Sequence, residues 1–435
     1  MYVTLEPLMS VSEKSLTHEH VPCPFCGLLC DDLQIRIANG DIKIIAGGCT
    51  RSENGFATTG DDSPRIAGET VTLDLAINHA AELLGNARRP LIGGLETDVR
   101  GMRAALALAD RIGAALDHTH GENLQRNLRV LQDRGWITTT LSEVRNRADL
   151  IVVLGSALFT SFPRLVERIF APPTTMVDDA LQNRRLIVLG GRSDWPVPET
   201  QIPLEYIPAP MESMGEIVSV LRCLIDERPI QAATVAGMNI DSLQPLAERI
   251  RQASYGVMIW STGALKGDHP DLTVQCISEL ITDLNREQRF AGLPLAAGDG
   301  DVSAYQACTW QTGYPLRVDL ASGKPVYDPY HLSTARALAD GADALLWVSS
   351  FDTTHEPPDT TVPTVVLGRN GMQMTREPEV FIPVGVPGLN HAGTVFRGDA
   401  VVSLPLRQLV DSSLPAAAEV VQAIRTRIES QEVPC

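Results

Sequence analysis

Four cysteines near the N-terminus are the residues of this sequence best placed to do chemistry. Cys23, Cys26 and Cys30 form a C-x2-C-x3-C motif, and Cys49 follows in the sequence Gly-Gly-Cys-Thr. Thiolates at this spacing suit an iron–sulfur cluster, with zinc as the second choice. A small structural knuckle with four unliganded thiols is the alternative that the spacing leaves open.

The segment between Cys30 and Cys49 explains how the fourth cysteine joins the other three. Apolar residues alternate with polar or small ones on both sides of Asn39-Gly40, which is the strongest short-range signal for a two-residue type I′ hairpin. If those two residues form the turn, Cys30 lies opposite Cys49 and the hairpin closes a four-thiolate site. The alternating residues are Leu33, Ile35 and Ile37 before the turn and Ile42 and Ile44 after it.

Length and composition limit the class of protein. A chain of 435 residues is long enough for about three domains. Its formal charge of −17, with no basic stripe to offset it, argues against binding to nucleic acid or to an anionic membrane. Eight cysteines in a chain of this length do not make a disulfide framework. With no signal peptide and no apolar run of membrane-spanning length, we expect a soluble, cytoplasmic protein.

The rest of the chain predicts an α/β fold. Short buried-type strands such as Leu150–Leu154 and Ala344–Val348 alternate with helical stripes, as in parallel sheets covered by helices. Each of these two strands follows an Ala-Asp pair, at Asp149 and Asp343, and ends in a small-residue turn. We interpret this repeated sequence pattern as two related Rossmann-like halves. No G-x-G-x-x-G or Walker A motif supports a nicotinamide cofactor or P-loop phosphate binding.

Four regions are predicted from these patterns. Residues 1–62 form a small cysteine-rich β domain. A Rossmann-like domain comprises residues 63–115 and 255–400, and a second Rossmann-like domain, residues 116–254, is inserted in it. Residues 401–435 form a tail with one strand and one helix.

A cysteine hairpin leading two Rossmann-like halves resembles the molybdopterin and tungstopterin oxidoreductase superfamily, and most closely the B subunit of formylmethanofuran dehydrogenase. Besides the cysteine motif, the resemblance rests on the stretches 142–149, 310–315 and 392–397, and it extends over nearly the whole chain. Larger members of the superfamily continue into a C-terminal β-barrel. The resemblance implies that this chain has none, because a separate subunit supplies the barrel in that dehydrogenase.

Two departures from the family pattern indicate a site that has lost its redox function. In redox-active members a cysteine or selenocysteine followed by His-Gly binds molybdenum or tungsten, whereas here Thr119 precedes His120 and Gly121. A neutral hydroxyl is a poor ligand for a soft metal centre. The family's arginines near the reacting carboxylate are replaced by Ser322 and Val326. We therefore expect no catalytic residue and no metal-bearing pterin in the old cleft, with Thr119 as a vestigial ligand position beside His120.

The resemblance also implies partners. Methylotrophic bacteria have a formyltransferase/hydrolase complex built from relatives of these subunits. Its amidohydrolase-like A subunit hydrolyses the formyl carrier methylofuran, its D subunit transfers formyl from tetrahydromethanopterin, and B and C accompany them. The chain resembles the B subunit of that complex. We therefore expect this chain to be a non-catalytic scaffold. An active dehydrogenase with a bis-pterin metal, and a binding module that reuses the pterin cleft, are the alternatives.

The remaining polar residues of interest have structural interpretations. His118 and His120 have zinc-ligand types at i and i+2 but no third ligand near them in sequence, so an ordinary histidine pair is favoured. Asp299-Gly-Asp301 follows a predicted strand, where it could touch a ligand at the strand ends, but a turn without function is the favoured interpretation. Without a pterin to contact, Arg51 is expected to pair with Asp31 or Asp32.

Overall fold

Two helix-covered sheets with parallel strands at their centre hold most of the core, which confirms the predicted α/β class. The computed structural model describes residues 16–38, 40–57, 60, 62–177, 180–192, 194–195, 200–261, 263–296 and 298–431. Within these ranges, no helix combines the length and the apolar character needed to cross a membrane.

The N-terminal cysteines are framed by a three-stranded antiparallel sheet. Its second and third strands pair Ile35 with Ile44 and Ile37 with Ile42, the register expected for a two-residue loop. Asn39 lies outside the described residues. The strands of this sheet, in spatial order, are Leu16–Val21, Leu33–Ala38 and Asp41–Ala46.

The hairpin differs from the prediction at its open end. The register shifts between Gln34 and Ile35, so Gln34 pairs with Ala46 rather than with Ile45. Both strands also stop before the cysteines, at Leu33 and Ala46. Cys30 and Cys49 are therefore not a paired position of the ladder, because the extra residue of the bulge displaces one strand relative to the other.

The larger sheet has nine strands, of which the central five are parallel. Alternate residues of its strands enter different cores: Ile92 and Leu346 face one apolar cluster, and Leu91 and Leu345 face another. Burial on both faces explains the continuous apolar runs in the sequence. In spatial order the strands are Val326–Tyr327, Val318–Asp319, Ala115–Leu116, Pro90–Glu96, Ala344–Ser349, Thr364–Arg369, Val380–Val384, Arg65–Ile66 and Glu69–Thr70.

Helices cover both faces of this sheet. Three helices from distant parts of the chain pack together on one face and bury an alanine-rich interface. The helices associated with this sheet are Leu73–Gly85, Val99–Ile112, Asp301–Thr312, Thr334–Ala339 and Ala417–Gln431.

The second sheet has five strands, all parallel. Ile151 and Val153 on one of its faces share a core with the cysteine segment, whereas Val152 and Leu154 face a separate helical core. In spatial order the strands are Leu204–Ile207, Arg185–Leu189, Leu150–Leu154, Tyr255–Ser261 and Arg289–Leu295. The α-helices of this half are Gly121–Arg134, Leu141–Arg147, Ala157–Ser161, Ala180–Asn183, Met214–Ile225, Gln244–Gln252 and Pro270–Leu284.

The remaining elements are short. Helix Thr50–Phe56 follows the last cysteine of the motif, and Val166–Phe170 is a π-helix. Two 3-10 turns and two small hairpins complete the described structure: Met211–Ser213, Ile240–Leu243, Thr234–Val235 with Met238–Asn239, and Gly393–Phe396 with Ser403–Leu406.

The sheets separate at a different position from the predicted domain boundary. Strands Tyr255–Ser261 and Arg289–Leu295 pair within the five-stranded sheet, so the predicted boundary at residue 255 is wrong. The inserted half extends at least to residue 295. The pattern of a buried parallel strand is the same whichever sheet it joins, so the sequence did not distinguish the two possibilities.

The two Ala-Asp pairs have equivalent roles in the two sheets. The carboxylate of Asp149 accepts hydrogen bonds from the amides of Ser254 and Tyr255 at 2.8 and 2.9 Å. That of Asp343 accepts from the amides of Arg88 and Arg89 at 2.9 and 2.8 Å. Each aspartate thus clamps the start of the neighbouring parallel strand, which accounts for the echo in the sequence.

Candidate functional site

The cysteine motif folds into a tight buried loop. Cys23, Cys26 and Cys30 are buried, and the amide of Cys23 donates to the carbonyl of Cys30 at 2.8 Å. Cys49 lies at the start of helix Thr50–Phe56, where its amide donates to the hydroxyl of Ser52 at 2.8 Å. The loop and the helix start thereby bring the four thiols into one region.

Burial and neighbouring thiols raise the pKa values of Cys23, Cys26 and Cys30. Burial raises the pKa of Cys26 to about 11 and that of Cys30 to about 12, and a neighbouring thiol contributes to each rise. Burial, followed by the charges of Cys26, Cys30 and Cys49, raises the pKa of Cys23 well above its usual value. Across the described residues, however, no three of these sulfur atoms lie within 4.8 Å of one another.

Arginines connect the cysteine segment to both halves of the protein. Arg51 lies 3.9 Å from Asp299, so its expected pairing with Asp31-Asp32 is wrong. Those two aspartates instead bind Arg164 and Arg168, with nitrogen–oxygen distances of 2.6 to 2.7 Å. The correction follows from packing, because the five-stranded half brings its own arginines against the hairpin.

A second group of polar residues lies at the carboxyl ends of three adjacent parallel strands of the larger sheet. Glu96 ends strand Pro90–Glu96, His120 follows strand Ala115–Leu116, and His355 follows strand Ala344–Ser349. One ligand-type atom of each side chain lies within 4.8 Å of the other two. The carboxyl edge of a parallel sheet is where α/β proteins place ligands.

Backbone strain directs Glu96 into this group. A β-bulge in its strand places Gly94 and Leu95 opposite the single residue Val348. Leu95 has φ of +58°, a conformation that costs a non-glycine residue free energy. The hydroxyl of Ser349 donates to Oε2 of the fully buried Glu96 at 2.7 Å and fixes the carboxylate.

The charges of these side chains are coupled. Burial raises the pKa of Glu96, and the Glu96 carboxylate raises the pKa of His355 to about 9. Burial lowers the pKa of His120, but Asp299 and other carboxylates outweigh that effect, so the net shift is upward. Burial lowers the pKa of His118 well below its usual value, so this neighbour of His120 is neutral.

Thr119 does not face the cleft as a metal ligand. Its amide and its hydroxyl both donate to the carbonyl of Gly94, at 3.0 and 3.3 Å. The residue therefore anchors the loop to the bulged strand. Its neutral, hydrogen-bonded hydroxyl differs from the soft anionic ligand that the resemblance implies for redox-active members. The segment containing Ser322 and Val326 is exposed at the sheet edge.

Asp299-Gly-Asp301 is more than a turn. Asp299 Oδ2 lies 3.7 Å from His120 Nε2, and both aspartates are buried. Burial raises the pKa of Asp301 to about 7. Gly300 has φ of +78°, and a Cβ on it would lie 2.3 Å from the carbonyl oxygen of Thr97, so only glycine fits between the two aspartates.

A cleft of about 750 Å³ opens beside His120. It lies at the carboxyl ends of strands Leu150–Leu154 and Tyr255–Ser261, between which the strand order of the five-stranded sheet reverses. Such a reversal is the usual ligand position in open α/β sheets. Its lining includes Gly155, Ser156, Gly191 and Ser261.

The sequence predicted part of this arrangement. The four cysteines lie in one region, and His120 lines the cleft. Glu96 and His355 were missed as site residues, whereas Asp299 was considered as a ligand contact but interpreted as part of a turn. Each follows a buried strand or ends one, and a systematic search for polar residues at the ends of predicted parallel strands is the signal that would have found them.

Comparisons with known proteins agree with the family resemblance. No family model matches the chain. It is 28% identical over 417 residues to the B subunit of the tungsten-containing formylmethanofuran dehydrogenase 2 of Methanocaldococcus jannaschii, covering 90% of this chain and 93% of that one. It is also 28% identical over 369 residues to the B subunit of the formyltransferase/hydrolase complex Fhc of Methylorubrum extorquens, covering 84% and 97%.

A solved structure matches the fold. One chain of the crystal structure of the formyltransferase/hydrolase complex FhcABCD from Methylorubrum extorquens, in complex with methylofuran, aligns with a TM-score of 0.71 and 28% identity. The alignment covers 86% of this chain and all of the other. The resemblance inferred from the sequence is confirmed: the chain is a homologue of the B subunits of formylmethanofuran dehydrogenase and of the formyltransferase/hydrolase complex.

Proposed function

We propose that this chain is the B subunit of a cytoplasmic formyltransferase/hydrolase complex, in which it acts as a non-catalytic scaffold. The complex would transfer formyl from tetrahydromethanopterin to methylofuran and hydrolyse it to formate, with an amidohydrolase-like A subunit, a C subunit and a formyltransferase D subunit as partners. The similarity to the Fhc homologue over 97% of its length supports this assignment.

The observation that carries the scaffold role is the environment of Thr119. The redox-active members that the sequence resembles carry a sulfur or selenium ligand at this point, although distant superfamily members use a serine-type alkoxide. Thr119 is instead a hydroxyl that already donates to the Gly94 carbonyl at 3.3 Å. A threonine hydroxyl does not ionise at neutral pH, so it supplies no ligand charge. Hydrolysis of a formyl carrier requires no redox chemistry, so a subunit without that ligand still fits the complex.

An exposed aromatic surface supports a role in assembly. Trp310 and Tyr330 are 61% and 62% exposed, and Tyr314 stacks on Tyr327 with ring centroids 5.2 Å apart. The guanidinium of Arg129 lies 5.0 Å from the ring centroid of Tyr330. Aromatic and arginine side chains dominate the energetics of protein–protein interfaces. We propose that this surface contacts another chain of the complex.

Metal content and activity test the scaffold role. The protein, purified anaerobically with its accompanying chains, is expected to contain no molybdenum or tungsten and to catalyse no dye-coupled oxidation of a formylated carrier. It is expected to support formyl transfer and hydrolysis together with its partners. Molybdenum or tungsten near one atom per chain, together with dye-coupled oxidation, would instead assign the chain to the active dehydrogenases.

The aromatic surface is tested separately by co-purification. The double variant Trp310→Ala/Tyr330→Ala is expected to lose partner chains on size-exclusion chromatography while keeping its circular dichroism spectrum. Leu75→Ala is the matched control, because Leu75 is a 54% exposed apolar residue on a different helix. Equal retention of partners by the double variant and the control would place the interface elsewhere.

We further propose that the four cysteines hold a structural iron–sulfur cluster. Tetrahedral zinc, with Zn–S bonds of about 2.3 Å, would bring its sulfur ligands to about 3.8 Å from one another. No three of the sulfur atoms of Cys23, Cys26, Cys30 and Cys49 are as close as that, and the charges of Arg164 and Arg168 near Cys30 favour its thiolate form. Iron and sulfide absent from the anaerobic protein, or unaffected by Cys49→Ser, would contradict the cluster.

Ligand binding in the cleft is a second candidate function, favoured by its volume of about 750 Å³ at a strand-order reversal. Methylofuran, which is bound in the matching complex, is the ligand to test. Saturable binding of methylofuran to the chain, weakened by Ser156→Trp, would support this candidate. If the isolated chain does not bind methylofuran, the scaffold role is the only candidate function that remains.

A further inference from the structure

Glu96, His120 and His355 have the geometry of metal ligands. The three ligand atoms lie within 4.8 Å of one another, and within the described part of the chain no other group of three His, Cys, Asp or Glu residues is so close. They come from three adjacent strands and are far apart in sequence. The group is separate from the cysteine motif and includes no atom of Thr119.

The same atoms are buried and lie close to one another. Glu96 Oε1, His120 Nε2 and His355 Nδ1 are each without a hydrogen bond of good geometry among the described residues. Glu96 Oε1 and His355 Nδ1 form an ion pair at 2.8 Å, and His120 Nε2 lies 3.7 Å from Asp299 Oδ2. A carboxylate oxygen and two imidazole nitrogens therefore face one shared position, where a bound cation would take the place of the protons on the two histidines.

The surroundings hold these side chains in place. Ser349 binds the other oxygen of the Glu96 carboxylate at 2.7 Å. The backbone amide of His120 donates to His118 Nδ1 at 3.0 Å, which ties down the loop that carries His120. Such outer contacts orient metal ligands before the metal binds. Asp299 adds a second carboxylate 3.7 Å from His120 Nε2, so two carboxyl groups face the position.

We propose that Glu96, His120 and His355 bind a divalent transition metal of the zinc class. Two imidazoles and one carboxylate are a donor set that proteins use for zinc and for non-haem iron(II). Three protein ligands leave a coordination position open to water or a small ligand, as in catalytic rather than structural zinc sites. His120 also lines the cleft. This site goes beyond the scaffold role and does not depend on it.

Cobalt(II) is the probe for this site, because its visible spectrum reports the ligand types. The full chain, purified with its accompanying partners and treated with a chelator, is titrated with Co²⁺ by equilibrium dialysis. Cobalt bound to nitrogen and oxygen ligands gives d–d bands without the near-ultraviolet thiolate band. We expect the chain to bind one equivalent of Co²⁺ with this nitrogen–oxygen spectrum. Zn²⁺ should displace that Co²⁺, and Cys49→Ser should not change its binding.

Variants test the assignment of ligands. His355→Ala and Glu96→Gln are each expected to lower the affinity for this Co²⁺ ion. The loss should exceed the roughly 10- to 100-fold that follows removal of a residue that only orients a ligand. His331→Ala is the matched control, since His331 Nδ1 lies 2.8 Å from Asp328 Oδ2 in an exposed pair outside the cluster. The control is expected to bind Co²⁺ as the unmodified chain does.

Two results would overturn the proposal. The first is a wild-type chain whose bound Co²⁺ always carries the thiolate signature, and the second is unchanged binding by both ligand variants. If either variant fails to fold, anomalous scattering at the zinc edge from crystals of the wild-type protein decides the matter. Density between Glu96, His120 and His355 supports the site, and its absence at saturating Zn²⁺ refutes it.

Discussion

Arg164 is predicted to hold the cysteine hairpin against the five-stranded half of the protein. Its guanidinium donates to both carboxylate oxygens of Asp32 at 2.7 and 2.8 Å, and it is only 6% exposed. At that separation and an effective dielectric constant of about 20, Coulomb's law gives ~6 kcal/mol. Desolvation of the two charges offsets several kcal/mol, and Asp32, which is 33% exposed, is partly screened. We expect Arg164→Met to lower the free energy of local unfolding of the cysteine hairpin by ~2–3 kcal/mol.

Hydrogen–deuterium exchange measures this local cost. A loss of ~2–3 kcal/mol accelerates exchange roughly 30- to 150-fold where the population of the open state governs exchange. The acceleration is expected in Leu33–Ala46 and Val166–Phe170 and not in the central strand Tyr255–Ser261. Methionine keeps the aliphatic stem, so the change removes mainly the charge.

Arg147→Met is the matched control for Arg164→Met. Arg147 pairs with Glu143 at 2.9 Å, but both side chains are exposed, and such pairs contribute ~0–1 kcal/mol. Exchange in Leu33–Ala46 that stays within about threefold of the wild-type rate in Arg164→Met would refute the reasoning, because it would limit the contribution to ~0.7 kcal/mol.

Three other perturbations follow from the described contacts. Asp149→Asn and Asp343→Asn should each lower the free energy of unfolding, measured by urea denaturation, by ~1–2 kcal/mol. In each variant the side-chain amide nitrogen would face a backbone N–H that the carboxylate now accepts from. Clearly unequal losses would contradict the equivalence of the two aspartates. Arg184→Met should cost ~3–5 kcal/mol, since this fully buried guanidinium donates to five backbone carbonyls; a melting temperature unchanged from the wild type would exclude that role. Gly300→Ala should cost ~2–3 kcal/mol because its Cβ would meet the Thr97 carbonyl, and wild-type thermal stability would show that the loop relaxes freely.

Local signals explain what the sequence predicted well. Asn39-Gly40 and the alternating isoleucines specify the pairing of Ile35 with Ile44, because turn type and side-chain alternation together determine register. The Ala-Asp echo identified two equivalent strand starts, at Asp149 and Asp343, before their partners were known. In both cases the interaction depends on chain geometry within a few residues, or on a motif repeated in the sequence.

Long-range pairing explains what the sequence did not predict. Glu96 and His355 are 259 positions apart, by subtraction of their residue numbers, and meet only because strands Pro90–Glu96 and Ala344–Ser349 are neighbours in the sheet. The assignment of strand Tyr255–Ser261 to a sheet failed for the same reason. Arg51 was assigned to nearby aspartates, whereas packing brings Asp299 to it. A single sequence contains no direct information about which strands become neighbours.

The proposed metal site at the strand ends uses nitrogen and oxygen donors, and Thr119 takes no part in it. Thr119 donates to the Gly94 carbonyl, while Glu96, His120 and His355 bring one carboxylate oxygen and two imidazole nitrogens within 4.8 Å of one another. Such donors favour zinc or iron(II) over the soft centre of the redox-active relatives. The contacts of Arg164 with the hairpin involve none of these atoms. Scaffold and metal site are therefore separable, and a chelator that removes the metal should leave exchange in Leu33–Ala46 unchanged.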